Sequence, residues 1–252
     1  MSLKNKSVVV TGGSRGLGLG LVEALVAGDA KVTVVARGAD ALDAVRDRLG
    51  VDAIAADVTD KAAADRILSG VRPDILVLNA GTPPPMYRLD QMDWTDFSAT
   101  WETDVKAGLY WIQAALNVPL QPGSRVLVGS SGAALTGSPL SGGYGGAKRM
   151  LWMMANYANS VSEQMKLGIR FQTIVPRQMV GGTGTGDAGS KAYARAKGIT
   201  QQAFLDGFGA PMPPRAYGDY VISVLENPAY SDGLAFGING ETGVTVLERE
   251  QA

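Results

Sequence analysis

The sequence predicts a three-layer α/β/α fold built on a doubly wound parallel β-sheet. Short, continuously apolar runs alternate along the chain with stretches in which apolar residues recur at helical spacing. Strands that are apolar on both faces are typical of a parallel sheet covered by helices on each side. The first run, at residues 7–10, breaks into glycines and then enters a helical pattern, as in the first half of a βαβ unit.

The predicted elements follow one another in regular order. Strands are predicted at residues 7–10, 31–36, 53–56, 74–78, 125–128 and 169–175. Helices are predicted at residues 17–26, 39–49, 61–68, 94–116 and 144–165. With 252 residues, 46% of them hydrophobic, the chain is expected to form one domain, residues 1–252, with a sizeable core. A sheet of this kind binds its ligand outside the carboxyl ends of the strands.

Composition narrows the chemistry. The sequence contains no Cys and no His. Disulfides, thiolate nucleophiles, His-based triads and most zinc sites are thereby excluded, and no metal site is predicted. Acid–base work must fall to Tyr, Lys, Asp or Glu. A net charge of −1 gives no general attraction for nucleic acid, which is therefore not an expected partner.

The chain also lacks signals for a membrane. Residues 1–6 lead straight into the first strand without a long apolar targeting region. No apolar run approaches the roughly 20 residues of a membrane span. We therefore expect a cytoplasmic protein without a membrane partner.

Residues 11–18 read Thr-Gly-Gly-Ser-Arg-Gly-Leu-Gly and join the first strand to the first helix. Glycines at 12, 16 and 18 allow a tight turn that places free helix N–H groups where a pyrophosphate could bind. The alternative is an ordinary strand-to-helix turn, which also uses glycines. A P-loop NTPase is excluded because the loop lacks Gly-Lys-Ser/Thr.

Four further motifs accompany the glycine loop. They are Asp57-Val58, Asn79-Ala80-Gly81, a serine at 131 and, 13 residues later, Tyr144 with Lys148 at i+4. Together these motifs resemble the classical short-chain dehydrogenase/reductase family over nearly the whole chain. The resemblance implies a Rossmann fold, a nicotinamide cofactor and hydride exchange between a carbonyl and an alcohol. It further implies coenzyme contacts from Gly12, Ser14, Arg15, Gly16, Leu17, Gly18, Arg37, Asp57, Val58, Asn79, Ala80, Gly81, Tyr144, Lys148 and Pro176.

The catalytic residues that the resemblance suggests are also chemically reasonable. Tyr144 and Lys148 share one face of a predicted helix, so the ammonium can lie near the phenol. A phenol ionises near pH 10, and a neighbouring cation favours the phenolate. Tyr144 can then exchange a proton with a substrate oxygen that Ser131 hydrogen-bonds. Ser130, the competing serine, alternates to the opposite face. The alternative is a surface tyrosine beside a solvated lysine.

Coenzyme choice is suggested by the end of the second strand. An NAD site usually has an acidic side chain there, whereas this chain has Ala36-Arg37. Arg37, with Arg15 from the glycine loop, can bind a 2′-phosphate through paired hydrogen bonds. NADP(H) is therefore the predicted coenzyme, and the alternative is that both arginines are merely solvated.

Two positions depart from the family pattern. Asp104 aligns with the position where many relatives carry a catalytic Asn, which helps hold a water chain through a local backbone distortion. An Asp there would preserve the backbone role while changing the charge near Lys148, and the alternative is a surface acid. Pro176-Arg177 replaces the usual Pro-Gly, so the loop that lines the nicotinamide is expected to differ.

A substrate loop is predicted at about residues 177–215. Within it, residues 181–189 consist almost entirely of glycine, threonine and other small residues, and are expected not to pack in a core. Two interpretations stay open, a flexible lid over substrate and a passive disordered connection. Polar substrate contacts are possible from Arg177 and Gln178. Candidate pocket walls are Tyr87, Trp94 and Met212.

The helix at 144–165 carries more large apolar residues than one buried face requires. These are Met150, Leu151, Trp152, Met153 and Met154. Because relatives pair through this helix and the one at 94–116, a homodimer or homotetramer is predicted.

The predicted function is an NADP(H)-dependent oxidoreductase, a carbonyl reductase or alcohol dehydrogenase acting on a small-molecule carbonyl or secondary alcohol. The alternative is a dinucleotide-binding regulatory protein that retains the fold with little turnover. Ser131, Tyr144 and Lys148 favour the enzyme, while Asp104 and Arg177 keep the alternative open.

Overall fold

A computed structural model describes residues 2–247, so Met1 and residues 248–252 of the predicted domain lie outside the described residues. Its centre is an eight-stranded sheet in the order β3-β2-β1-β4-β5-β6-β7-β8. All pairs are parallel except β7 with β8. The strands are β1 (Ser7–Thr11), β2 (Lys31–Ala36), β3 (Asp52–Ala55), β4 (Ile75–Leu78), β5 (Arg125–Gly129), β6 (Arg170–Pro176), β7 (Ala235–Asn239) and β8 (Gly243–Val246).

Helices cover both faces of this sheet and complete the predicted Rossmann-type architecture. They are α1 (Gly16–Ala27), α2 (Ala39–Leu49), α3 (Lys61–Val71), α4 (Trp94–Thr100), α5 (Lys106–Asn117), α6 (Ala133–Thr136), α7 (Tyr144–Gln164), α8 (Gly184–Lys197), α9 (Gln201–Asp206) and α10 (Pro214–Glu226). A π-helical turn, Trp101–Val105, joins α4 to α5. No helix within residues 2–247 combines the length and apolarity needed to cross a bilayer.

The continuously apolar strands are explained by two separate cores. In β1, Val8 and Val10 pack in a cluster with residues of α1, α2 and α10. Val9, which points to the opposite face, belongs to a second cluster with residues of α3, α5 and α7. Alternating side chains of one strand thus enter both cores, and this is why the strands show no polar face.

Three predictions about elements were wrong in detail. The sheet is not parallel throughout, because β7 and an antiparallel edge strand, β8, extend it beyond the six predicted strands. The helix predicted at 94–116 is interrupted by the π-helical turn. The glycine-rich residues 181–189 are neither disordered nor excluded from packing, because α8 begins at Gly184 and Gly186 and Gly189 are buried in it.

Candidate active site

A cavity of about 460 Å³ opens at the carboxyl ends of β1, β4 and β5. The strand order reverses between β1 and β4, because β2 and β3 follow on one side of β1 and β4 to β8 on the other. This is the topological switch point where doubly wound sheets bind ligands. The structure brings every residue predicted to contact the coenzyme or to take part in catalysis to this one cavity. These are Gly12, Ser14, Arg15, Gly16, Leu17, Gly18, Arg37, Asp57, Val58, Asn79, Ala80, Gly81, Asp104, Ser131, Tyr144, Lys148 and Pro176.

The glycine loop folds as its sequence requires. Gly12 has φ of +68°, and a Cβ at this position would lie 2.7 Å from the Ala80 Cα atom. A Cβ at Gly18 would collide with the carbonyl oxygen of Gly12. Both positions therefore need glycine, because backbone passes where a side chain would otherwise stand.

Hydrogen bonds fix this loop to the end of β4. Thr11 Oγ1 donates to the carbonyl of Val77 at 3.2 Å and accepts from the backbone N–H groups of Asn79 and Ala80. The Asn79 amide donates to the carbonyl of Gly12 at 3.2 Å. The Asn-Ala-Gly segment thus holds one wall of the cavity against the glycine loop.

The beginning of α1 is suited to an anion. Its N-cap residue, Arg15, makes no side-chain capping hydrogen bond, and the first turn contains no acidic residue. Gly16, Leu17 and Gly18 of this turn line the cavity. Helix N–H groups and the helix dipole therefore face the cavity without an internal anion, which fits a dinucleotide pyrophosphate.

Two cations lie at the same end of the cavity. Arg15 and Arg37 are exposed, and neither forms an ion pair with any residue between 2 and 247. Nearby, hydrogen bonds from the Thr59 N–H and hydroxyl lower the pKa of Asp57, and the Arg37 charge contributes in the same direction. This end of the cavity combines one carboxylate whose ionised form is favoured with two guanidinium groups that form no ion pair within the described residues.

The two serines after β5 have different surroundings. Ser130 is buried, and its hydroxyl donates to the carbonyl of Lys148 at 2.8 Å. Ser131 lines the cavity and accepts from the N–H of Ala133 through its hydroxyl oxygen at 3.2 Å. Ser130 also borders the cavity, but its hydroxyl proton is used in the contact with α7, whereas the Ser131 hydroxyl retains a proton to donate.

Tyr144 and Lys148 occupy the first two turns of α7. Lys148 Nζ lies 5.6 Å from the centroid of the Tyr144 ring. It also lies 2.9 Å from an Asp104 carboxylate oxygen, in a pair whose side chains are only 10% and 1% exposed. Burial by itself would lower the pKa of Lys148, but the Asp104 carboxylate and Tyr144 raise it above its usual value. Lys148 is therefore held as a cation.

Each carboxylate oxygen of Asp104 has one partner, Lys148 for one and Thr82 for the other. The second of these oxygens accepts from the backbone N–H of Thr82 at 2.9 Å, a contact that the sequence did not suggest. A Cβ at Gly81 would lie 2.8 Å from the carboxylate, so the glycine makes room for it. The surface-acid interpretation of Asp104 is wrong.

The π-helical turn explains how Asp104 reaches this place. Insertion of an extra residue into a helical turn reorients the side chains that follow, and such turns are frequent at functional sites. Trp101, at the start of the turn, donates from its indole N–H to the carbonyl of Gly143 at 3.0 Å. The turn is thereby tied to the residue that immediately precedes Tyr144.

The opposite wall of the cavity lies within the predicted substrate loop, although none of its residues was predicted individually as a site residue. It comes from the start of α8, where Thr183, Gly184, Thr185 and Gly186 line the cavity. Thr183 caps the helix by accepting from the N–H of Gly186 at 3.1 Å. The signal was present, because threonine is a preferred N-cap and Asp187 follows in the first turn.

Helix α8 is hydrogen-bonded to the loop before α7 through Tyr193. The Tyr193 hydroxyl hydrogen-bonds the Ser138 hydroxyl at 2.8 Å and accepts from the N–H of Leu140 at 3.2 Å. Its ring stacks on Phe204 of α9. These contacts join α8 and α9 to the loop that precedes Tyr144.

The predicted pocket walls were wrong. Tyr87 and Trp94 are exposed and Met212 is buried in the core beside α10, and none of the three lines the cavity. Arg177 also lies away from the cavity, with its N–H donating to the carbonyl of Ile238. Gln178 does line it, but its amide is engaged by the backbone of Ala210 and Gly240.

Comparison with known proteins identifies the family. Residues 6–190 match the family model described as short chain dehydrogenase. The chain belongs to the short chain dehydrogenase family. As a member it is a dehydrogenase/reductase, and the family implies a nicotinamide dinucleotide cofactor.

Individual members of the family differ in how much of their length is shared. Oxidoreductase asL5 of Sarocladium schorii is 27% identical over 92% of this chain and 97% of its own length. Short chain dehydrogenase/reductase AacuD of Aspergillus aculeatus is 30% identical over 57% of this chain and 54% of its own length. The 3-oxoacyl-[acyl-carrier-protein] reductase FabG of Salmonella typhimurium is 35% identical over 40% of this chain and 45% of its own length. The chain thus spans about half the length of the latter two relatives.

Proposed function

We propose that the protein is an NADP(H)-dependent oxidoreductase that interconverts a carbonyl and a secondary alcohol on a small molecule. The observation that carries this proposal is the meeting of Ser131, Tyr144 and Lys148 in the cavity that also receives the glycine loop. The reaction needs a hydride carrier at the carbonyl carbon and a proton donor at the carbonyl oxygen of the same substrate. A single cavity that receives both permits this.

The coenzyme phosphates would be held at the end of the cavity formed by the start of α1. The first turn of α1 would bind the pyrophosphate, and Arg15 and Arg37 would bind a 2′-phosphate, for which guanidinium groups are suited. The absence of a carboxylate directly after β2 favours NADP(H) over NAD(H). When bound, the nicotinamide supplies or accepts the hydride.

The residues of the chain itself would manage the substrate oxygen. The Ser131 hydroxyl would donate a hydrogen bond to a carbonyl oxygen and polarise it. The Tyr144 hydroxyl would deliver a proton to the same oxygen as negative charge develops there, and would recover it in the reverse direction. The Lys148 cation would orient the coenzyme ribose and favour proton transfer from Tyr144. Residues 177–215 would cover the substrate.

Turnover with a panel of ketones and secondary alcohols, followed at the nicotinamide absorbance with both coenzymes, tests this function. Tyr144→Phe removes one oxygen and little volume, so it should lower turnover by about 10²- to 10⁴-fold while coenzyme binding persists. Near wild-type turnover of Tyr144→Phe would refute the Ser-Tyr-Lys mechanism.

Arg37→Asp tests the coenzyme assignment in the same assay. It should weaken NADPH binding through repulsion of the 2′-phosphate and narrow the preference for NADPH over NADH. Lys31→Asp is the matched control, because it makes the same charge change at the exposed opposite end of β2. An unchanged ratio of the two affinities in Arg37→Asp would refute the assignment.

A dinucleotide-binding regulatory protein is the second candidate. It is favoured by the Asp104 carboxylate, because this anion offsets the positive charge with which Lys148 would otherwise act on the Tyr144 phenol. Tight NADPH binding without turnover on any substrate of the panel would support this candidate.

We further propose a homodimer or homotetramer. On α7, Met153, Tyr157 and Val161 form an exposed apolar stripe at four-residue spacing, and Leu109 of α5 is also exposed. Light scattering should give two or four times the 26.3 kDa mass of one chain, and a monomer mass at micromolar concentration would refute the assembly.

A further inference from the structure

Tyr144 lies beside a neutral ion pair, and not beside an isolated cation. Lys148 Nζ is 5.6 Å from the Tyr144 ring centroid and 2.9 Å from the Asp104 carboxylate. Both members of the pair are almost wholly buried, so water screens their charges less than it would at the surface. The cation that favours the phenolate is therefore accompanied by an anion that opposes it.

Asp104 and Tyr144 are the groups whose charges act on Lys148, and Arg149, the next residue of α7, lies over the Trp152 ring. Asp96, Glu102 and Lys106 are the remaining charged residues of the α4–α5 segment near the start of α7, and Glu102 and Lys106 are exposed. The neighbouring strands contribute Arg125 and Arg170 at their opposite, amino-terminal ends. Tyr110 of α5 is half-buried. Short α6 carries no titratable side chain.

We propose that Asp104 is a positioning residue that acts through Lys148 to keep the Tyr144 hydroxyl protonated over a wider pH range than the lysine alone would allow. This inference rests on the proposed function, because protonation of Tyr144 matters only if the phenol exchanges a proton with substrate. Its consequence is directional. A protonated phenol donates to a carbonyl oxygen, so the site sustains reduction at mildly alkaline pH, while alcohol oxidation needs a higher pH to form the phenolate.

The sign of the effect follows from the charges. Asp104→Asn leaves Lys148 as an unpaired cation, which stabilises the phenolate. The Tyr144 phenol should then ionise at a pH lower by roughly one unit than in the wild type, the size expected for one nearby charge. In the pH–rate profiles, the pH at which oxidation becomes faster and the pH at which reduction becomes slower should both fall by the same amount.

The direct test requires no substrate. Phenolate absorbance is titrated in coenzyme-free wild type and Asp104→Asn, and in each case the titration of the matching Tyr144→Phe protein is subtracted to isolate one tyrosine. A downward shift supports the proposal. Equal midpoints, or an upward shift, overturn it.

A second pair of variants covers the case in which Asp104→Asn does not fold, since it leaves a buried cation unpaired. Lys148→Met is compared with the double variant Lys148→Met/Asp104→Asn in the same titration. These two proteins differ in charge only at the Asp104 carboxylate. The Tyr144 phenol should therefore ionise at the higher pH in Lys148→Met, again by about one unit. Equal midpoints in this pair would show that the Asp104 charge does not reach the phenol, and would overturn the proposal.

Turnover separates this inference from the function on which it rests. If Tyr144→Phe keeps its activity, the proposed mechanism fails whatever the titration gives. If Tyr144→Phe loses activity but the pH profiles of wild type and Asp104→Asn coincide, the mechanism stands and the role of Asp104 fails.

Discussion

Two glycine-rich segments, residues 11–18 and residues 181–189, meet across the same cavity but were read very differently from the sequence. The first was predicted as an ordered loop, and the second as a lid or a disordered connection. In the structure Gly16 lies close to Thr183, since a Cβ at Gly16 would come within 3.5 Å of the Thr183 side chain. Both segments are ordered walls of one site.

The two segments use glycine for different reasons. In the first, Gly12 adopts a left-handed conformation and Gly18 lets a helix pass against a carbonyl. In the second, Gly182 also has a positive φ, but Gly186 and Gly189 stand inside α8. A Cβ at Gly186 would collide with the carbonyl of Val180, and one at Gly189 would lie 3.0 Å from the Met179 sulfur, so these two glycines let the helix pack closely. Glycine content alone therefore does not indicate mobility, since a helix that packs closely on backbone also requires glycine.

The largest expected effect is in the first segment. Gly18→Ala drives a methyl group into the carbonyl oxygen of Gly12, where neither backbone can yield. We expect a loss of at least about 3 kcal/mol in the free energy of unfolding, together with loss of coenzyme binding. Denaturant unfolding and NADPH titration measure the two effects.

Gly70→Ala is the matched control for this substitution. Gly70 also lies in a helix, but a Cβ there would meet no atom within 4 Å. It should therefore gain up to about 1 kcal/mol from the higher helix propensity of alanine. If Gly18→Ala were as stable as Gly70→Ala, the close approach at the glycine loop would be refuted.

The second segment should respond less. Gly186→Ala pushes a methyl group toward Val180, but α8 is joined to the sheet by a loop and can shift. We expect a loss of about 1–3 kcal/mol. Gly184→Ala, two residues earlier in the same helix, meets only Pro83 at 3.5 Å and should be neutral or stabilising. Thermal unfolding and limited proteolysis of residues 177–215 distinguish them, and equal behaviour of both variants would refute the close packing of Gly186.

Sequence reasoning worked best where one local spacing determines a structure. The α7 helix, predicted at 144–165, runs from Tyr144 to Gln164, and its four-residue spacing does bring Lys148 toward the Tyr144 ring. The apolar runs located six strands because burial on both faces demands continuous hydrophobicity. The edge strand β8 was not predicted in this way, because none of its residues is fully buried.

The remaining features depend on contacts between distant segments. Neither Pro nor Gly marks the π-helical turn at Trp101–Val105, so its sequence resembles continuous helix. The Asp104 to Lys148 pair joins residues 44 positions apart, and periodicity cannot determine whether such a carboxylate points inward. Tyr87, Trp94 and Met212 failed as pocket walls for the same reason, because apolar character predicts burial or contact without saying against what.

The smallest effect should come from the cap that orders the second segment. Thr183 accepts from the N–H of Gly186 and donates to the carbonyl of Val180 at 2.8 Å, so Thr183→Val removes both bonds while keeping side-chain shape. Loss of an N-cap costs about 1 kcal/mol, and hydrogen exchange in the first turn of α8 should accelerate accordingly. Thr185→Val is the control, because this threonine lies within the helix and does not cap it. If exchange in α8 were equally slow in both variants, the packing of Gly186 and Gly189 alone would order the segment. The Thr183 cap would then not be the feature that distinguishes this segment from a mobile loop.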